Sequence, residues 1–137
     1  ELRKEMMILN NCKSIQEEML SKKIWAVIGA NNDPDKFGNI IYKRLKSEGY
    51  KVYPVNPMYD NVEGERCYPD LSSLPEKPEV LDMVVSPKRG REFIEEAAAL
   101  CIKKIWLQPG PCNQEILELI EEKQLTGLQA CVLVALS

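Results

Sequence analysis

The residues best suited to chemistry form the loop from Gly29 to Asn39, which follows a short apolar run. Gly29 permits a tight turn, and Gly38 leaves the start of the next helix uncrowded. Free backbone N–H groups and the helix dipole there favour a phosphate, and Lys36 adds a positive charge. The alternative interpretation is that these glycines, with an Asp-Pro turn, only end a strand and turn the chain. The loop alone leaves both readings open.

The spacing of the glycines separates this loop from the common nucleotide motifs. Gly38 is the next glycine after Gly29, so the chain has no Gly-x-Gly-x-x-Gly there. The following strand ends in Val55-Asn56-Pro57, where an NAD site would carry an acidic residue for the ribose. The Gly-Lys-Ser/Thr of a P-loop is also missing. The pattern therefore argues against a nicotinamide dehydrogenase and against an NTPase.

Side chains able to carry catalysis are few. The sequence has no histidine, and its five cysteines are Cys12, Cys67, Cys101, Cys112 and Cys131. These counts exclude histidine-based mechanisms and the common zinc patterns, so we predict no catalytic residue and no metal ligand. We interpret Cys131 as a small core residue of the last strand, and Cys67 and Cys112 as the better thiol candidates in loops. Asp82 interrupts an apolar strand, so we expect it to be paired or to lie at a sheet edge.

Length and composition limit the class of protein. At 137 residues, with 45% hydrophobic and 28% charged residues, the chain fits one globular domain. A net charge of -3 gives no general attraction to nucleic acid. No apolar run is long enough for a membrane span and no signal peptide is recognisable, so we expect a cytoplasmic protein with reduced thiols.

Strand and helix patterns alternate along the chain. Apolar runs predict strands at residues 23–28, 51–55, 80–85, 104–107 and 128–136, with a hairpin-like excursion or short strand at 62–68. Helical spacing follows in three places, at Phe37, Ile40, Ile41 and Leu45, at Phe93 to Cys101, and at Ile116, Leu117 and Ile120, with Gly49 as a helix stop. Ser14 to Glu17 fits a capping box for a short helix on the sheet edge. The alternation predicts an α/β fold, a three-layer, doubly wound parallel sheet with right-handed crossovers.

In such a sheet, ligands bind beyond the carboxyl ends of the strands. Four loops would meet there, namely those beginning at Gly29, Asn56, Ser86 and Gln108. A lysine and an arginine, Lys88 and Arg89, follow the third of these strand ends. The predicted site is therefore one crevice that collects loops from distant parts of the chain.

Several blocks together resemble a known family. They are Ile24 to Ala30, Asp33 to Gly38, Gly49 to Pro57, Gly64 with Cys67 to Pro69, and Trp106 to Gly110. In order and spacing they resemble the stand-alone CoA-binding domain family, which is similar to the N-terminal nucleotide domain of the succinyl-CoA synthetase alpha subunit. The resemblance covers roughly residues 14 to 136. It makes residues 14–137 a single Rossmann-like CoA-binding domain, preceded by a tail or helix extension at residues 1–13.

The resemblance implies a set of residues that bind coenzyme A. The first loop would face the pyrophosphate, the second would line the adenosine pocket, the third would border the nucleotide, and the fourth would close the crevice toward the pantetheine arm. The implied residues are Gly29, Ala30, Asn31, Asn32, Lys36, Phe37, Gly38, Asn39, Asn56, Pro57, Ser86, Pro87, Lys88, Gln108, Pro109 and Gly110. Cations for the phosphates would come from Lys36, Lys88 and Arg89.

These observations favour a non-catalytic or regulatory module that binds CoA or an acyl-CoA. The alternatives are a small oxidoreductase or enzyme subunit that uses NAD(P) or another adenine nucleotide, and an interaction domain with a vestigial pocket. We expect no nucleic-acid or membrane partner. A homodimer and a partner enzyme subunit both remain open as assemblies, and a partner would supply the catalytic groups that this chain lacks.

Overall fold

The computed structural model describes residues 13–109 and 114–137, and its centre is a five-stranded parallel sheet. The strands are β1 (Ile24–Ile28), β2 (Lys51–Val55), β3 (Asn61–Val62), β4 (Glu65–Arg66), β5 (Val80–Met83), β6 (Lys104–Leu107) and β7 (Thr126–Gln129). The sheet has the order β2-β1-β5-β6-β7, and β3 pairs with β4 as a separate antiparallel hairpin. That hairpin confirms the excursion predicted at residues 62–68.

Helices cover both faces of the sheet. They are α1 (residues 13–21), α2 (Phe37–Ser47), α3 (Pro87–Ala99), α4 (Gln114–Glu122) and α5 (Val132–Ala135). Buried residues of α1, α2 and α5 belong to one apolar cluster, and those of α3 and α4 belong to the other. The predicted three-layer, doubly wound Rossmann-like fold is therefore confirmed. Over the described residues, no helix is long and apolar enough to cross a membrane.

The strand order reverses between β1 and β5. From β1 the chain moves to β2 on one side, and it then returns to β5 on the other side of β1. Backbone hydrogen bonds join the strand ends, from Gly29 N to Val55 O at 2.9 Å and from Val84 N to Ile28 O at 2.9 Å. The connections that leave β1 and β5 therefore separate at one edge of the sheet, which is where a parallel sheet binds its ligand.

Two tryptophans anchor the first apolar cluster. Trp25 in β1 and Trp106 in β6 are both fully buried, and their ring centroids lie 5.7 Å apart. Each indole N–H donates to a backbone carbonyl, that of Lys22 at 3.0 Å and that of Ala130 at 2.8 Å. Because both polar atoms are paired, the rings stabilise the core without a desolvation cost. Both tryptophans are therefore core residues.

The prediction of a final strand at residues 128–136 is wrong. Strand β7 begins earlier, at Thr126, and ends at Gln129, while Val132–Ala135 forms the short helix α5. The register of β6 with β7 ends at the pair Leu107 and Gln129, so the sheet offers no further partner. A short apolar run fits a strand and a buried helix equally well, which explains the error.

The predictions for four of the helices need correction. Ser14 lies inside α1 and does not cap it, and α1 packs on a sheet face, where Met19 joins the buried cluster of Trp25 and Trp106. On α2, Phe37 is 62% exposed and Ile40 is 37% exposed. Tyr42, which the spacing did not mark, is buried instead. On α4, Leu119 is buried and Leu117 is not, and Cys101 follows α3 as an exposed residue.

The prediction for Asp82 is also wrong. It lies in β5, a central strand between Val27 of β1 and Trp106 of β6, and it is fully buried. Within the described part of the chain, neither carboxylate oxygen has a hydrogen-bond partner. Burial raises the pKa of this carboxyl well above its ordinary value. Asp82 thus lies in an apolar layer away from the sheet edge, without a partner among the described residues, and burial favours its protonated form.

Candidate functional site

The carboxyl ends of β1, β2, β5 and β6 open onto a groove with three sections. The β2 section has a volume of about 410 Å³, and its lining includes Val55, Asn56, Pro57, Pro69, Arg89 and Phe93. The central section has about 440 Å³, and its lining includes Gly29, Asn31, Lys36, Asn56, Ser86 and Arg89. The β6 section has about 530 Å³, and its lining includes Asn31, Lys36, Phe37, Val84, Gln108 and Cys131. Shared lining residues join the sections in a row, with the central section in the middle.

Two helices begin at the central section. The residue preceding α2 is Lys36 and the residue preceding α3 is Ser86, and neither side chain forms a capping hydrogen bond. Neither helix has an acidic residue in its first turn. The first N–H groups of such helices are free to bind a ligand, and both helix dipoles direct positive potential into the same section. The geometry is that of an anion site between two helix N-termini.

Two cationic side chains border the same section. Lys36 lines the central and β6 sections, and Arg89 lines the central and β2 sections. Asp33 also reaches the central section, where its carboxylate accepts a hydrogen bond from the backbone N–H of Asp35 at 3.0 Å. Lys88 is exposed on α3 and is not among the lining residues of these three sections. The structure therefore favours Arg89 over Lys88 as the cation of this helix.

The two glycines of the first loop are required by close packing. Gly29 has a φ of +100°, and a β-carbon there would lie 2.8 Å from Cγ1 of Val85. At Gly38 a β-carbon would lie 2.1 Å from the carbonyl oxygen of Gly29. A side chain at Gly38 would push α2 away from the end of β1, and a side chain at Gly29 would collide with the segment that follows β5. The close packing of these segments at the groove therefore depends on both glycines.

Asparagine side chains hold the first loop in place. Nδ2 of Asn39 donates to the carbonyl of Asn31 at 2.8 Å, and Nδ2 of Asn56 donates to the carbonyl of Ala30 at 3.0 Å. Asn32 joins the loop to the β3-β4 hairpin, because its Nδ2 donates to the carbonyl of Asn61 at 2.9 Å. Asn39 is buried and Asn32 is directed at the hairpin, so these two shape the loop. Asn31 and Asn56 combine this role with a place in the groove lining.

The β6 section is closed by the segment that follows β7. Gln108 is 5% exposed, and its Oε1 accepts a hydrogen bond from the backbone N–H of Val132 at 3.1 Å. This bond fixes the start of α5 next to the end of β6, and it brings Cys131 to the groove wall. Pro109 lines the same section. Gly110, the last residue of the predicted set, lies outside the described residues.

The described cysteines differ in access. Cys67 is 5% exposed, its Sγ lies 3.5 Å from the carbonyl oxygen of Asn56, and burial raises the pKa of its thiol. Cys67 lies in a loop as predicted, but its burial makes it a poor thiol candidate. Cys131 is half-buried in the groove wall instead of buried in a strand. Cys101 is exposed, and Cys112 lies outside the described residues.

The β2 section contains residues that the sequence reasoning did not place there. Phe93 of α3 and Pro69 with Asp70 form its walls. The backbone N–H of Asn56 donates to the carbonyl of Tyr68 at 2.9 Å, which holds this segment against the end of β2. Oε1 of Glu96 accepts from the N–H of Leu71 at 2.9 Å and fixes the same wall to α3. The Cys67 to Pro69 block was the sequence signal for this wall.

Comparisons with known proteins agree with this architecture. Residues 23–137 match the family model described as a CoA binding domain. The chain is 30% identical over 129 residues to the uncharacterized protein YneT of Bacillus subtilis, covering 88% of this chain and 90% of that protein. It is 31% identical over 115 residues to the ADP-forming acetate–CoA ligase I of Archaeoglobus fulgidus, covering 77% of this chain but 17% of the ligase. A conserved hypothetical protein of Pyrococcus furiosus superposes with a TM-score of 0.79 at 39% identity, over 82% of this chain and 98% of that one.

Proposed function

The chain belongs to the CoA binding domain family, and from this premise we propose that it binds coenzyme A along the groove without catalysing a reaction itself. Coenzyme A consists of a nucleoside with a 3′-phosphate, a diphosphate and a pantetheine arm that ends in a thiol. The groove likewise has three sections in a row. We place one part of the ligand in each section.

One observation carries the proposal, the meeting of two uncapped helix N-termini at the central section. Free N–H groups of α2 and α3, together with Lys36 and Arg89, provide donors and positive charge on both sides of it. A diphosphate carries the negative charge and the acceptor oxygens that such a site binds. The diphosphate of CoA therefore belongs in the central section.

The nucleoside and the pantetheine arm then occupy the two ends. The β2 section offers an apolar slot between Pro57, Pro69 and Phe93, which suits the flat face of an adenine ring. Arg89 lines both the β2 section and the central section, so its guanidinium can pair with a phosphate at this end of the groove. The β6 section, with Gln108 and Pro109, receives the pantetheine arm, as the resemblance to the family implies.

The groove suits NAD less well than CoA. A dinucleotide site of this fold uses an acidic side chain at the end of the second strand to bind the ribose hydroxyls. Here Asn56 occupies that position, and its side chain donates to the carbonyl of Ala30 and accepts from the N–H of Met58 at 2.9 Å. These bonds hold the amide inside the protein, and a neutral amide lacks the charge that a carboxylate offers to the ribose hydroxyls.

The chain supplies little for catalysis. It has no histidine, and Glu96, a carboxylate of the β2 section, is held by backbone N–H groups of the loop. The ligase relative is covered over only 17% of its length, so most of that protein lies beyond this domain. We propose that this chain is a binding or regulatory module, and that any reaction of the bound CoA uses groups of a partner enzyme subunit.

The test is a comparison of CoA and NAD by thermal unfolding and by isothermal titration calorimetry. We expect CoA to raise the unfolding temperature, since a ligand at about 100 times its Kd adds about 2.7 kcal/mol to the free energy of unfolding. NAD at the same concentration should leave the temperature unchanged. The absence of any CoA-dependent shift at millimolar concentration would overturn the proposal, and a larger shift with NAD would favour the oxidoreductase alternative.

A further inference from the structure

The β6 section differs in chemistry from the central section beside it. Its lining includes Phe37, Val84, Pro109 and Cys131, which present carbon or sulfur to the groove. Gln108 is the buried polar side chain of this wall, and its carbonyl oxygen is already bonded to the N–H of Val132. Asn31, Asp35 and Lys36 add polar groups to the lining, but the surface of the section is mainly apolar.

This apolar surface continues onto the outside of the protein. Phe37 is 62% exposed and Ile40, one turn later on α2, is 37% exposed. Farther along this side of the helix, Nη2 of Arg44 donates to the carbonyl of Leu136 at 3.0 Å, so this side of α2 faces the segment of α5. Val134 of α5 is 72% exposed. Large apolar side chains left uncovered at the end of a ligand groove indicate a surface that the ligand covers.

The charges of the section select against an anionic group. Asp35 lines the β6 section and does not line the other two. Lys36 lies at the boundary with the central section, where the diphosphate would engage it. A second carboxylate placed beside Asp35 on an apolar wall would be both repelled and desolvated.

On the basis of the proposed function, we infer that this chain prefers CoA thioesters of apolar acyl groups over free CoA and over thioesters of dicarboxylic acids. The acyl chain lies in the β6 section and continues over Phe37 toward α5. The diphosphate fixes the position of the ligand, and the pantetheine arm carries the thioester to the apolar end. Side chains of α2 and α5 therefore distinguish one acyl group from another, at the end of the groove opposite the nucleoside.

Isothermal titration calorimetry on the whole chain with CoA, hexanoyl-CoA and succinyl-CoA tests this inference. We expect hexanoyl-CoA to bind about tenfold tighter than CoA or better, because several methylene groups leave water. Succinyl-CoA should bind no tighter than CoA. Equal affinity for CoA and hexanoyl-CoA would overturn the inference and leave the proposed function intact, whereas no binding of any of the three would overturn the proposed function itself.

Variants locate the acyl chain. The quantity to compare is the ratio of the Kd for CoA to the Kd for hexanoyl-CoA, measured within each variant. We expect Phe37→Ser and, independently, Val134→Ser to lower this ratio severalfold, since Phe37 lines the β6 section and Val134 is an exposed apolar residue of α5, three residues after the lining residue Cys131. Leu117→Ser is the matched control, because Leu117 is a 39% exposed apolar residue on α4, which packs on the other face of the sheet. A ratio unchanged in both test variants, or lowered equally in the control, would overturn the placement.

Discussion

A β-carbon at Gly38 would lie 2.1 Å from the carbonyl oxygen of Gly29, so the first turn of α2 rests directly on the end of β1. The same β-carbon would lie 2.6 Å from Nδ2 of Asn31. Backbone is thus in contact with backbone at the point where the anion site is built. The N-terminus of α2 can occupy this position only because residue 38 has no β-carbon.

Gly38→Ala is expected to damage both binding and stability. The added carbon must move α2 or the carbonyl of Gly29, and overpacking of this kind costs about 1 to 3 kcal/mol. The N–H groups of the first turn then lie farther from the bound diphosphate, so CoA affinity should fall by at least about tenfold. Urea unfolding gives the stability and calorimetry gives the affinity.

The matched control for this prediction is Gly90→Ala. Gly90 lies in the first part of α3, and the nearest atom to a β-carbon there is Sδ of Met83 at 3.6 Å, an ordinary contact. Because alanine favours the helix, we expect a stabilisation of about 0.5 to 1 kcal/mol and unchanged CoA binding. If Gly90→Ala harms binding as much as Gly38→Ala, close packing at Gly38 is not the reason for the effect.

Arg89→Ala is expected to weaken CoA binding about tenfold or more. A hydrogen bond to a charged group contributes about 1.5 to 3 kcal/mol, and 1.4 kcal/mol corresponds to a factor of ten. The remaining affinity should also depend less steeply on salt, because one ionic contact is lost. Arg91→Ala is the control, since Arg91 is on the same helix but lies 3.8 Å from the carboxylate of Glu95. Equal losses in both variants would show a general charge effect and no specific contact.

The sequence predicted the sheet and the edge at which the groove lies because both depend on local patterns. The apolar runs of β1 and β6 and the loops that follow them are continuous in the chain. Ligands bind at the carboxyl ends of parallel strands, so the loops after these strands were predicted to meet although no contact between them was known. Gly29 and Gly38 were marked for the same reason, since a glycine requirement is visible in the sequence.

What the sequence could not predict depends on contacts between distant segments. Phe93 has the spacing of a buried helix residue, and its place in the groove depends on how Tyr68 pairs with the end of β2. Asn39 was predicted to bind the ligand, but its side-chain Nδ2 donates hydrogen bonds to the carbonyl of Asn31 and to the carboxylate of Glu63. The short helix α5 stands where a strand was predicted. Strand β6 ends at Leu107, which pairs with Gln129, so residues after Gln129 have no strand to pair with.

Alkylation of the cysteines should follow their access to the groove. Cys67 is buried and the pKa of its thiol is raised, so it should react slowly with iodoacetamide in the folded protein. Cys101 and Cys131 should react faster. Bound CoA should slow the labelling of Cys131, which lines the β6 section, and leave the exposed Cys101 unaffected. Peptide mass spectrometry separates the individual sites, and equal protection of Cys101 and Cys131 would contradict the placement of the ligand.

The buried acid Asp82 gives the stability a defined dependence on pH. The unfolded chain releases the proton of an aspartate near pH 3.9, whereas burial raises the pKa of Asp82 in the folded protein. Below the unfolded value both states hold the proton, and the contribution of Asp82 to stability is fully present. As the pH rises toward the folded pKa, only the unfolded state releases its proton, so the free energy of unfolding falls. The loss amounts to about 1.4 kcal/mol for each pH unit within this window.

Replacing Asp82 should therefore stabilise the protein at neutral pH. We expect Asp82→Val to raise the free energy of unfolding at pH 4 by about 1 to 3 kcal/mol, because an unpaired polar group leaves the layer of Val27 and Trp106. The gain should be larger at pH 7, where the cost of keeping Asp82 protonated in the folded protein is added. Asp82→Asn is the matched comparison, since it removes the titration but keeps a buried polar side chain. Urea unfolding between pH 4 and pH 7 measures the difference in stability between the native protein and each variant. That difference should grow with pH in favour of both variants, and only Asp82→Val should also be more stable at pH 4. A difference that stays constant across this range would show that Asp82 is ionised in the folded protein and has a partner.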